Sequence, residues 1–188
     1  MDLNEKFANF MRGISAAAEL DARAAGMGCF VECVCLTASV IDGLLRMGLI
    51  LQHQLDTGTS DLLEDLLHQA DGDPVVSERE VYRRALAAGV IGQPIFDDLE
   101  AQYQDRNRVV HRYIISGITT ADVLAIAMRQ NDLKHRVADC VAEIEERQIS
   151  LGVGMTVRGH MPVKQEVLDS ATEKHGDDAL AQALREGL

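Results

Sequence analysis

The stretch Met27–Leu51 constrains this chain more than any other. It is apolar almost throughout, and only Glu32, Asp42 and Arg46 carry charge in it. A run of that length is a helix, either at the middle of a packed bundle or across a membrane. The three charges favour the core of a bundle, with the helix expected from about Cys29 to Leu55. The polar residues of this helix are ordered: Glu32, Cys35, Ser39, Asp42 and Arg46 follow steps of three and four along one line. Asp42 and Arg46 are placed to pair across one turn. The line is either an internal pairing seam, a dimer seam, or one wall of a site.

The rest of the chain supplies partners for such a helix. Phe7, Phe10, Met11, Ile14 and Ala18 mark the apolar face of a first helix, Leu3 to Ala25, closed by Gly26 and Gly28. Thr59 or Ser60 is suited to cap a short helix over Asp61–Gln69. Ser77 with Glu80 forms a capping box for a helix over Glu78–Ala88. Pro94 opens the next, expected to Ile115. Thr120 is placed to cap a last long helix, Ala121 to Ile149, whose apolar line is Val123, Leu124, Ala127, Leu133, Val137, Val141 and Ile144.

No alternating run of useful length occurs outside short pieces such as MTVRG, so no sheet is expected. The fold class is all-α: an up-down bundle of about five helices over residues 1–150, joined by short loops. Residues 151–188 form a C-terminal extension, partly helical or mobile, whose breakers and polar character end the regular period.

Composition bounds the function. The chain has 188 residues and a net charge of −12, which argues against a broad nucleic-acid or anionic-membrane surface but leaves room for a small basic cleft. Its opening, MDLNEKF, is acidic and polar where a secretory signal is basic and then apolar. Of four cysteines, Cys29, Cys33 and Cys35 lie in the apolar stretch and Cys140 far from it; no second Cys or His pair completes a zinc pattern. Buried reduced thiols in a cytoplasmic protein are expected. His53, His68, His135, His160 and His175 have no companions at ligand spacing.

One segment departs from the pattern. QDRNRVVHRYIIS, residues 104–116, carries three arginines, an asparagine, a histidine and a tyrosine. Phe96, Leu99, Tyr103, Val110 and Tyr113 share one stripe of the helix, and Arg106 falls on that stripe. A guanidinium is costly to desolvate unless paired, so Arg106 must face a partner, a cleft or a ligand. Glu32 and Asp42 are its expected structural partners. Asn107 and His111 are one turn apart on an adjacent flank. The imidazole of His111 is a side chain able to take or return a proton. Arg106 offers a planar fork of donors to a phosphate. Arg108 and Arg112 flank them, with Asp105 the nearest acid.

The block RNRVVHRY resembles the active-site motif of HEPN-domain proteins, in particular the HepT-type toxins of nucleotidyltransferase–HEPN pairs. The matching block is short, and beyond it the resemblance extends over residues 1–150 only as architecture. It implies a homodimeric RNA endonuclease that works without metal or other cofactor, through attack by the RNA's own 2′-hydroxyl, in a cleft where two motifs meet. Arg106 and His111 are then the catalytic residues. Asn107, Arg108, Arg112 and Tyr113 bind substrate, and Tyr113 is the position where a partner nucleotidyltransferase attaches AMP. The alternative is a HEPN-fold dimer without catalysis, a regulatory or protein-interaction module. A third reading makes the tail the functional element, wrapped around a partner.

Overall fold

The computed structural model describes residues 2–67, 76–157 and 174. Among these residues there are six helices: α1 (Leu3–Met27), α2 (Phe30–Thr57), α3 (Glu64–Leu67), α4 (Glu78–Ala87), α5 (Gln93–Arg112) and α6 (Thr120–Leu151). Of the expected extension over 151–188, residues 158–173 and 175–188 lie outside the described residues, as does the end of the short helix at His68 and Gln69.

α2 is the central element and touches each of the other five helices. By length and composition it could cross a membrane, yet 67% of its most apolar window is buried inside the protein. Ile41, Leu45, Ile50 and Leu51 are sealed against Val81 and Tyr82 of α4, Leu99 of α5 and Val137 of α6. Each such aliphatic side chain contributes roughly 1.5–3 kcal/mol by leaving water. Glycine allows close approach at two points of α2: a Cβ on Gly43 would stand 2.7 Å from Ile14 Cγ1, and one on Gly48 2.6 Å from Val90 Cγ1 and 3.3 Å from Val141 Cγ2.

Polar ties fix the outer helices to α2. The buried carboxylate of Asp21, on α1, accepts from Thr37 of α2 at 2.9 Å and from Lys134 of α6 at 2.7 Å. Arg46 donates to Asp42 at 2.6 Å, as the one-turn spacing predicts. It also donates to the carbonyls of Leu66 and Val76 at 3.4 and 3.3 Å, so it pins α3 itself and the segment that leads into α4. The internal-seam alternative therefore describes this part of the polar line on α2.

Several local expectations need correction. α1 continues through Gly26 to Met27, and Gly28 alone supplies the left-handed cap, at φ 73°. Met11 and Ala18 are exposed, because α1 lies across the bundle on Phe7, Phe10 and Ile14. Thr59 does not cap a helix; its hydroxyl accepts from Asp61 N, and α3 starts only at Glu64. Ser77 caps α4 by accepting from Glu80 N, but no reciprocal bond completes the box, since Glu80 is drawn to Arg83 and Arg84. The cap of α6 is Thr119, not Thr120: Thr119 and Asp122 form the reciprocal box. Leu124 falls off the buried line of α6 and stays partly exposed.

The regular bundle ends at Leu151, but the chain does not leave it there. Gly152 takes a left-handed φ of 68° and turns the backbone. Met155 then packs on the core, and its N–H donates to Gln54 Oε1 at 3.1 Å. The Thr156 hydroxyl donates to Gln148 Oε1 at 2.6 Å. Gly154, at φ 82°, lies so close to Gln148 that a Cβ would stand 2.4 Å from its side chain. Residues 152–157 thus close the end of the bundle. Of the cysteines, all four are free thiols, but only Cys33 is buried; Cys29, Cys35 and Cys140 are half-buried.

Candidate active site

The site is built on α5. Gly92 precedes it in extended conformation and Pro94 stands in its first turn, where no helical N–H is lost. The buried face runs through Leu99, Gln102 and Val109. The stripe expected through Val110 and Tyr113 is displaced by one position: Val109 is buried, while Val110 and Tyr113 are exposed. Arg106 lies between Gln102 and Val109 on this corrected face, part-buried as its placement requires.

Arg106 does not pair with Glu32 or Asp42. Its guanidinium binds the carboxylate of Glu78, on the first turn of α4. The same guanidinium lies over the Tyr103 ring at 5.1 Å, and Arg79 approaches that ring at 5.6 Å. Arg79 is itself bound to Glu100, its Nε at 3.0 Å. The Tyr82 hydroxyl donates to Glu78 from below. Burial, reinforced by the Glu78 charge, pushes the Tyr82 phenol far above its ordinary range. Glu78 is thus a neutral phenol's acceptor and a cation's partner at once.

Asp42, Arg46, Glu78 and Arg106 border one recess of about 270 Å³, with Ala38 and Ser39 on its α2 side. Two cations face two carboxylates there. The recess is electrically balanced, so an anion gains from it only by displacing a carboxylate. Oδ1 of Asp42 is buried and unpartnered among the described residues.

The other motif residues lie outward. Asn107 touches Arg106 through a long 3.5 Å contact. Arg108 is exposed and reaches Asp105 at 3.5 Å, while Arg129 of α6 holds the same carboxylate at 3.0 Å. α5 ends at Arg112 rather than Ile115, so His111 and Arg112 occupy its last turn, where the carbonyl ends of the helix favour a cation. Both are exposed, with no partner among the described residues. The structure therefore brings Arg106 and Asn107 together but does not join them to His111 within one chain.

Tyr113 follows as the helix cap, its hydroxyl 3.2 Å from Thr120 Oγ1. It borders a recess of about 350 Å³ between the start of α2 and the start of α6, shared with Cys29, Val31, Glu32 and Thr120. A hydrogen bond to Glu32 is the first reason the Cys29 thiol stays protonated above its ordinary range. Beyond Tyr113 the turn exposes Ile114 and Ile115, 94% and 82% open to solvent. Val110, on the last turn of α5, and Val31, which borders the same recess as Tyr113, are exposed too.

No family model, curated protein or solved structure matches the chain.

The sequence missed Glu78, Tyr103 and Arg79 as members of this environment. Tyr103 was assigned to the apolar stripe, and Glu78 carried only the signal of a first-turn acid. The pairs Glu78–Arg106 and Arg79–Tyr103 join different helices, so no spacing within one helix shows them, whereas Tyr103 and Arg106 stand three apart on α5.

Proposed function

We propose that the protein is a homodimeric, metal-independent endoribonuclease of HEPN type, acting as a toxin or defence component restrained by a nucleotidyltransferase-type partner. The observation that carries the reading is His111: a solvent-open histidine on the last turn of α5, one turn past Asn107, with the exposed Ile114 and Ile115 following it in the chain. Two copies joined through these isoleucines would bring two His111 side chains to one cleft. The histidine takes the 2′-hydroxyl proton and returns one to the leaving oxygen. Arg106, released from Glu78, steadies the charge on the phosphate. Arg108 and Arg112 stand outward to follow the backbone. Tyr113, with an accessible hydroxyl, is the position for AMP attachment; a bulky anion there would block the cleft by charge and size.

The ion pair of Arg106 with Glu78 favours the second reading, a helical dimer without catalysis that serves as a regulatory module. One experiment separates them: cleavage of a mixed RNA pool in EDTA by the wild type and by His111→Ala, with folding of both checked. The ribonuclease yields cyclic-phosphate ends, and the variant loses about 10²–10⁴-fold in rate, the usual worth of a general acid–base group. Absence of cleavage by the unmodified wild type overturns the enzyme and leaves the regulator.

A further inference from the structure

Two glutamines lie in the core with nothing to bond. Gln102 of α5 is 5% exposed and Gln130 of α6 is 2% exposed. In both, the amide nitrogen and the amide oxygen are buried and unpartnered among the described residues. The other end of the bundle shows the usual outcome. Gln54 and Gln148 are equally buried, yet Gln54 Nε2 donates to Asp61 O at 3.0 Å and Gln148 Nε2 donates to Leu51 O at 2.7 Å. Buried amides are ordinarily satisfied, so a pair left open calls for an explanation.

Gln102 and Gln130 line the same cleft, between α5 and α6, with a volume of about 340 Å³. A water occupies roughly 30 Å³, so the space exceeds what one bridging water needs. Ala101, Ile126 and Leu133 form the apolar part of its wall, and Asp98, Asp105, Asp132, Arg129 and Arg136 the charged part. Arg129 and Arg136 stand at the rim, tied to Asp105 at 3.0 Å and Asp98 at 2.6 Å. With these cations neutralised, the cleft does not select an anion. Each amide offers donors and an acceptor in one plane. The complementary ligand is flat and neutral, with donors and acceptors on its edge. A nucleobase has that form: glutamine pairs with such an edge through two bonds, and guanidinium planes at the rim stack on such a ring.

We propose that the α5–α6 cleft is a nucleobase-binding site in which Gln102 and Gln130 engage the edge of the base. The inference goes beyond cleavage at His111 and does not depend on it. The same chemistry serves a base within an RNA strand and a free nucleoside.

The test is calorimetry on the full chain with adenosine, guanosine, cytidine and uridine, and separately with short single-stranded RNA on the His111→Ala protein. Each is repeated with Gln102→Met plus Gln130→Met, which keeps the side-chain shape and removes the amides. Saturable binding of at least one nucleoside, weakened tenfold or more by the double substitution, supports the site. Binding of RNA alone, weakened to the same extent, assigns the base to a strand. The ligand-free double variant should melt no lower than the wild type, because it has lost unpartnered groups. A double variant that melts lower shows the amides to be satisfied by trapped water and overturns the proposal. So does binding of neither nucleoside nor RNA that depends on the two glutamines, or binding of N-acetyl amino acid amides in place of nucleosides. RNA cleavage is read in none of these arms, so failure here and failure of the ribonuclease are separate results.

Discussion

The guanidinium of Arg106 is held by the carboxylate of Glu78, which lies 28 residues earlier in the chain and on a different helix. The pair is part-buried, with side-chain exposures of 24% and 16%. It occupies the cation that a phosphate would need, and it also anchors α5 to α4. Replacing Glu78 by Gln removes the charge while keeping an acceptor for the Tyr82 hydroxyl. The expected result is lower stability, by about 1–3 kcal/mol, together with tighter binding of a fluorescent RNA strand, by roughly tenfold. Anisotropy titration and urea denaturation read the two effects. If RNA binding weakens instead, Arg106 is a structural cation and not a phosphate ligand.

Ile114 and Ile115 have no inward role, so changing them tests the surface without touching the core. Ile114→Asp with Ile115→Asp should leave the unfolding free energy of the subunit within about 0.5 kcal/mol of the wild type. A dimer joined at this end should dissociate at micromolar concentration. Sedimentation equilibrium on both proteins decides it, and an unchanged assembly state moves the subunit contact elsewhere.

Tyr82 predicts an alkaline limit to stability. Its folded-state phenol titrates far above the ordinary value of 10.0, chiefly through burial. Below pH 10 the group is protonated in both folded and unfolded states, and its contribution is fully present. Above pH 10 the unfolded chain releases the proton while the folded one keeps it, so stability falls by about 1.4 kcal/mol per pH unit from this group. Tyr82→Phe loses the hydrogen bond to Glu78 and is less stable at neutral pH. Its deficit against the wild type should shrink between pH 10 and 11. Denaturation midpoints across that range check the slope; a constant deficit would mean that the phenol is not held neutral.

Gly48 is a point of close approach between α2 and its neighbours. Gly48→Ala places a methyl group against Val90 and Val141, two short side chains with little room to move. A cost of about 1–3 kcal/mol is expected from overpacking, net of the small gain in helix propensity. The midpoint of urea unfolding measures it, and a neutral result would show that the α4–α5 connection gives way.

Local physics made much of this molecule legible. The helix periods, the starts at Leu3 and Glu78, the central role of α2 and the Asp42–Arg46 pair all follow from neighbours within one or two turns. So did the recognition that Arg106 is out of place on a buried stripe. The failures share a form. Whether Thr119 or Thr120 caps α6, and whether Val109 or Val110 is buried, turns on a single step of register. For α5 that step is decided by how the helix rolls against its neighbours; for α6 it is decided locally, by the box between Thr119 and Asp122.

The sequence by itself determined the all-helical build, the apolar centre and an arginine that must be compensated. Only the tertiary structure decided by whom. The choice of Glu78 over Glu32 or Asp42 depends on where the short α4 settles against α5. That position is set by non-local packing of Tyr82, Val81 and Leu99 in the shared core. The same is true of Gln102 and Gln130: each looks unremarkable on its own helix, and only the packing of α5 on α6 brings the two amides to one cleft.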